Sequence, residues 1–131
     1  MGQVRIYKRE EGVLRQKSYA FALRIVKMVE YLRDRHSEKV LSNQVLSSGT
    51  SIGALVREAE FAQSLPDFTN KLAIALKEAN ETEYWLQLLW DTHYIEDEQA
   101  YLSIKEDCDQ LIALLVASLK TSKRNRLKKQ T

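Results

Sequence analysis

The chain is poor in everything that interrupts a helix: one proline, Pro66, and four glycines in 131 residues. Such scarcity, with abundant Ala, Leu, Glu, Lys and Arg, is the composition of an all-helical protein and excludes turn-rich β architectures. Cysteine is nearly absent too. Cys108 stands alone, so neither an intrachain disulfide nor a cysteine-built zinc cage or redox pair is available. The two histidines, His36 and His93, each fall near a predicted helix end, where a cation complements the helix dipole and the last carbonyls. Neither follows a glutamate by three residues, which removes the Glu-x-x-His ligand pair of di-iron bundles. No run approaches the roughly 18 uncharged apolar residues of a membrane span. The start, Met-Gly-Gln-Val-Arg-Ile-Tyr-Lys-Arg, lacks the apolar stretch of a signal peptide. The expectation is a single cytoplasmic domain that does not engage a membrane.

Four apolar periodicities divide the chain. Helix 1 is predicted from about Gln16 to Arg35, with Phe21, Ile25, Met28 and Leu32 on one stripe. A second stripe beside it, Tyr19, Ala22, Leu23, Val26 and Val29, makes the apolar face wider than one neighbouring layer requires and points to a further subunit. Helix 2 is predicted from Val40 or Ser42 to Gln63 on Leu41, Val45, Ser48, Ile52, Leu55, Ala59 and Ala62. Ser64-Leu65-Pro66-Asp67 is a capped start for helix 3, which is predicted to run to His93 along Phe68, Leu72, Ala75, Leu76, Ala79, Glu83, Leu86 and Trp90. Helix 4 starts at Glu96-Asp97-Glu98 and follows Ile104, Cys108, Leu111, Ile112, Leu115 and Leu119. Helices of this length joined by short loops predict an antiparallel up-and-down four-helix bundle. The domain reading is a basic N-terminal extension at 1–15, a bundle at 16–119 and a basic tail at 120–131. Cys108, on an apolar stripe, is read as a core residue rather than a reactive thiol.

Residues 49–53, Gly-Thr-Ser-Ile-Gly, match the G-x-S-x-G pattern of serine hydrolases. A nucleophile elbow needs a buried strand entering the first glycine, and no strand is predicted here. Ser51 is therefore placed mid-helix with its hydroxyl bonded to a carbonyl one turn earlier. Gly49 and Gly53, one turn apart, read as a notch for close helix packing; the weaker alternative is an anion-binding loop. Glu58 and Glu83 are a candidate carboxylate pair across helices 2 and 3, set against the reading that each pairs with an arginine, Arg24 or Arg57. No first shell for catalysis, a metal or a cofactor is found, and no small-molecule substrate is expected.

The segment from Gln44 to Ala59, with Ser51-Ile52 and Glu58, together with Glu81-Thr82-Glu83-Tyr84-Trp85-Leu86, resembles the signature of four-helix bundle proteins encoded in intervening sequences of bacterial 23S ribosomal RNA genes. That family includes the accessory variability determinant of diversity-generating retroelements. The motif residues carried over are Ser51, Ile52, Glu58, Glu83 and Trp85. Ser47 and Leu55 depart from the family pattern, which has arginine and asparagine there. The resemblance covers residues 16–120 and implies a non-enzymatic protomer that assembles into a ring-like homopentamer. Relatives of the accessory type bind nucleic acid and associate with a reverse transcriptase.

Net charge is +2, yet Lys120, Lys123, Arg124, Arg126, Lys128 and Lys129 place six cations and no anion in the last twelve residues. Without those six, 14 basic residues face 18 acidic ones, a balance of −4. Affinity for an RNA or DNA backbone is expected in this tail and in the N-terminal Arg5, Lys8 and Arg9, with Arg15 and Lys17 beside them. The plain alternative is a solvated, frayed end. Tyr84, Trp85 and Trp90, at helical spacing with leucines, are read as core or interface rather than as a stacking platform for bases. Three functions remain in competition: a nucleic-acid-associated oligomer or adaptor, a protein-interaction scaffold, and an esterase acting through Ser51.

Overall fold

The computed structural model describes residues 9–130, with side chains from Gly12 to Asn125 and that of Leu127. Four helices follow one another: α1 (Arg9–His36), α2 (Val40–Glu60), α3 (Leu65–Asp91) and α4 (Glu98–Gln130). Among the described residues each packs on two neighbours and none on its diagonal. Cross-helix pairs fix the directions. On α1 and α4, Lys17 meets Gln110 and Arg24 meets Asp107, and Arg35 meets Glu96 just before α4, one number rising as the other falls. On α2 and α3 the pairs Ser48–Thr82 and Glu58–Lys71, and on α3 and α4 the pairs Ala79–Cys108 and Thr69–Ser122, show the same antiparallel sense. The expected up-and-down bundle is what forms.

Much of the core comes from the stripes anticipated from periodicity: Phe21, Ile25 and Leu32 from α1, Val45 and Ile52 from α2, Leu72, Ala79 and Leu86 from α3, Leu111 and Leu115 from α4; Val29, expected on the outward stripe of α1, is buried with them, as are Val56 and Leu89. Cys108 is fully buried in it, with its Sγ 3.4 Å from the Ala79 carbonyl oxygen. Burial pushes this thiol up to about 12, so it remains a thiol at neutral pH.

Local chemistry sets the ends. Ser64 Oγ accepts from the Asp67 amide at 3.1 Å, and Asp67 Oδ2 accepts from the Gln63 amide at 3.2 Å, a reciprocal cap with proline in the first turn. The α2 start is capped from outside, because the Glu38 carboxylate accepts the amides of Leu41 and Ser42. Asp97 Oδ1 accepts the Gln99 amide at 2.9 Å and opens α4. Ser37 (φ 54) and His93 (φ 69) adopt the left-handed conformation that ends a helix.

Three boundaries differ from expectation by three residues or more. α1 begins at Arg9 rather than Gln16, since Leu14 continues the Phe21 stripe at a spacing of seven and is fully buried. α2 stops at Glu60 rather than Gln63; tighter turns, Phe61 amide to Glu58 and Ala62 amide to Ala59, wind it off before the Ser64 cap. α4 does not end at Leu119 but continues to Gln130, so the basic segment is helical.

Gly49 and Gly53 do form a packing notch. A Cβ on Gly49 would lie 2.8 Å from Ile25 Cγ1 and 3.0 Å from its Cγ2, whereas a Cβ on Gly53 would sit 3.4 Å from the Ser18 carbonyl oxygen. Only the first is a clash. In urea melts Gly49→Ala should lose about 1–3 kcal/mol through overpacking, while Gly53→Ala should gain up to about 1 kcal/mol from helix propensity.

Candidate nucleic-acid interface

The basic segment is mounted on the last third of α4. After Leu115 the inward positions change from leucine to serine: Ser118 and Ser122 are buried, and the Ser122 hydroxyl contacts that of Thr69 on α3. Small hydroxyl residues let the helix run on against α3 without further apolar volume. The opposite side of these turns carries Lys120, Lys123 and Arg124, all exposed. Cations in the closing turns of a helix also complement the negative end of its dipole. Arg126, Lys128 and Lys129 lie on the same helical backbone, but their side chains fall outside the described residues, as does that of Arg9; Arg5 and Lys8 fall outside them altogether. Because α1 and α4 are antiparallel, the start of α1 lies at the bundle end from which the basic turns of α4 extend.

Other anticipated residues separate. Ser51 Oγ donates to the Ser47 carbonyl at 2.6 Å, the back-bond expected of a mid-helix serine. Ile52 is core. Glu58 and Glu83 do not meet: Ser48 on α2 is level with Thr82, which puts Glu58 ten residues, about 15 Å, further along the bundle. Nor do the arginines pair with them. Glu58, more than half exposed, lies 3.9 Å from Lys71; Arg24 bonds Asp107 at 2.6 Å; Arg57 stacks over the Tyr19 ring at 5.0 Å. Glu83 instead faces α4, where its charge acts on Lys105 and on the Cys108 thiol. Trp85 is half-buried and meets Tyr84 edge-on, and Trp90 stacks on Tyr101 with centroids 5.1 Å apart. Tyr84 is a correction to the core reading, being 60% exposed.

The buried carboxylate is Glu60, which periodicity had not singled out. It is 1% exposed, and Arg15 Nε on α1 approaches its Oε1 to 3.0 Å off the line of a hydrogen bond, leaving both carboxylate oxygens without one among the described residues. At the other end His36 stands in the last turn of α1, as expected, and also reaches the loop before α4. Its ring sits edge-on between Tyr31 and Tyr94, with Nε2 3.0 Å from Glu96 Oε1, and Arg35 shares the same carboxylate. Hydrogen bonding to Arg35 holds the Glu96 carboxyl below its usual range. What this clasp contributes is therefore present at neutral pH and lost as pH falls through that lowered value. Between the ends the α1/α4 seam opens into a cleft of about 470 Å³ lined by Met28, Tyr31, Ile95 and Ile104, with Arg24 and Glu96 at its walls.

One wide stripe is left uncovered. Tyr19, Leu23 and Val26 on α1 are 52%, 49% and 39% exposed. Among the described residues no three His, Cys, Asp or Glu gather as metal ligands, and no helix is long and apolar enough to cross a membrane.

These features define an all-α, antiparallel four-helix bundle protein with a basic helical extension. Residues 10–117 match the model of the 23S rRNA-intervening sequence proteins, and the chain belongs to that family. The crystal structure of a protein of unknown function from the S23 ribosomal protein family of Bacteroides thetaiotaomicron VPI-5482 is 52% identical in sequence and superposes with a TM-score of 0.82, covering 85% of this chain and 98% of that one. No curated protein matches. The family match stops before Lys120, so it speaks for the bundle and not for the basic turns.

Removing Arg15 would strand a buried anion. Arg15→Ala should cost about 1–3 kcal/mol in urea denaturation, less than a fully buried pair because the arginine is partly solvated. Arg15→Ala combined with Glu60→Gln should cost less than the sum of the two single changes.

Proposed function

We propose that the protein is a non-enzymatic, self-associating helical bundle that binds nucleic-acid backbone through the basic end of α4, and so serves as a nucleic-acid-associated protein or as an adaptor for a nucleic-acid enzyme such as a reverse transcriptase. The observation that carries this reading is the continuity of α4 to Gln130, which presents Lys120, Lys123 and Arg124 together on a rigid surface instead of a loose tail. Ordered cations give up less side-chain and backbone freedom when they meet phosphates. The adaptor role leans on the resemblance to the accessory variability determinant of diversity-generating retroelements. A ring-like homopentamer is the assembly that resemblance implies, and the exposed Tyr19-Leu23-Val26 stripe supports self-association of some kind. Repetition of the basic end around such a ring would add weak contacts into useful avidity. The engagement of the Ser51 hydroxyl by its own helix favours a non-enzymatic role over an esterase.

Point substitution is the appropriate test, because ending the chain at Leu119 would also remove Ser122 and its packing on Thr69. Anisotropy titrations of a labelled structured RNA at several salt concentrations should show steeply salt-dependent binding. The triple change Lys120→Ala, Lys123→Ala, Arg124→Ala should weaken it and lower the log–log salt slope by roughly 2–3. Absence of binding by the parent protein at low salt would overturn the reading. It would favour the second one, a protein-interaction scaffold acting through the apolar α1 stripe. An activated-ester assay should return the same rate for the parent and Ser51→Ala.

A further inference from the structure

The outward face of α4 carries a seam unrelated to the core. Leu102, Glu106, Asp109, Ala113, Val116, Lys120, Lys123 and Leu127 follow one another at steps of four, three, four, three, four, three and four. They share one face of the helix, the side turned away from the bundle, with apolar residues at its two ends and its middle and charged residues between them. Leu102 is 47% and Leu127 63% exposed, Val116 is half-buried, and the others are exposed. The spacing is palindromic and the chemistry self-complementary: leucine, two acids, two small apolar residues, two lysines, leucine.

We propose that this face pairs with the same face of a second copy of the chain, antiparallel, about a two-fold axis passing between positions 114 and 115. In that register Leu102 meets Leu127 of the other copy, Glu106 meets Lys123, Asp109 meets Lys120 and Ala113 meets Val116. Each match occurs twice, as a two-fold interface requires. Ala113 and Val116 at the axis, with Ala117 flanking them, let the helices approach closely, and four opposite-charge pairs fix the register. The parallel arrangement is disfavoured by the same residues, since it would place Glu106 on Glu106 and Lys120 on Lys120. Asp109 already holds Lys105 of its own chain at 2.9 Å, yet its side chain stays 46% exposed and so is open to a second lysine. The seam spans about 37 Å of helix at 1.5 Å per residue. It lies on a different helix from the apolar α1 stripe, so the two surfaces do not compete. Lys120 and Lys123 are also the cations that the nucleic-acid reading assigns to phosphate, so pairing and nucleic-acid binding exclude each other; this one consequence rests on that reading.

Site-specific cross-linking tests the pairing without nucleic acid and independently of any other assembly surface. A mixture of Leu102→Cys and Leu127→Cys proteins, mildly oxidised at low salt, should yield the 102–127 disulfide, while Leu102→Cys alone should yield little product. The native Cys108 does not interfere, being buried with its thiol pushed up to about 12. Adding Glu106→Lys and Asp109→Lys to the Leu102→Cys protein should cut the yield about tenfold by putting like charges opposite each other. Adding Lys120→Glu and Lys123→Glu to its Leu127→Cys partner should restore it, and that recovery also shows the altered chains to be folded. A missing 102–127 product, a dominant 102–102 product, or a yield indifferent to charge reversal would each overturn the proposal.

Discussion

The close approach of α1 and α2 at Gly49 is the constraint on which the rest of the bundle depends. Ile25 is seated where a side chain on residue 49 would be, and Gly53 lets the Ser18 backbone come down beside it. With these two helices locked together, the remaining widths of α1 are assigned. One side turns to the core, another to α4, and the stripe of Tyr19, Leu23 and Val26 is left facing outward. Glycine lowers the helix propensity of α2, and the interdigitation of Ile25 offsets the loss.

The two ends of the bundle solve different electrostatic problems. Where the α1–α2 and α3–α4 turns meet, Glu96 gathers Arg35 and His36 at the surface, and water shares the charge. At the opposite end Glu60 is enclosed and, among the described residues, faces one cation, Arg15. A buried carboxylate facing a cation on another helix restricts how the helices rotate about their axes, because a small turn of α1 would carry Arg15 away from Glu60. The solvated clasp imposes no such restriction.

Much of this was legible in the sequence, and the failures have physical causes. Helix number, direction, the Ser64 cap and the Gly49 notch follow from patterns strongly tied to backbone geometry: spacing, a hydroxyl before a proline, a glycine inside an apolar stripe. The end of α4 was hidden because its inward positions pass from Leu111 and Leu115 to Ser118 and Ser122, which carry no hydrophobic signal. Glu60 was hidden because it sits among charged neighbours in a closing turn, where Glu58 looked equivalent. A rotation of about 200° around the helix puts one in water and the other in the interior. Glu83 lay on the right stripe, but its environment was set by α4, a helix that pairwise inspection of α2 and α3 does not include. Of the basic residues, the sequence showed their clustering and the structure supplied the rigid backbone beneath three of them.

The topology makes the α1/α4 seam unlike the other three. α1 with α2, α2 with α3 and α3 with α4 are hairpins closed by turns of three, four and six residues. α1 with α4 is the one contact that must close a long loop, and its described cross-seam hydrogen bonds are polar side-chain pairs at the surface. Loop-closure entropy is recovered there last. On a ribosome, α1 and α2 emerge and dock first, while α4, carrying the six cations from Lys120 to Lys129, follows the other three helices and zips the structure shut.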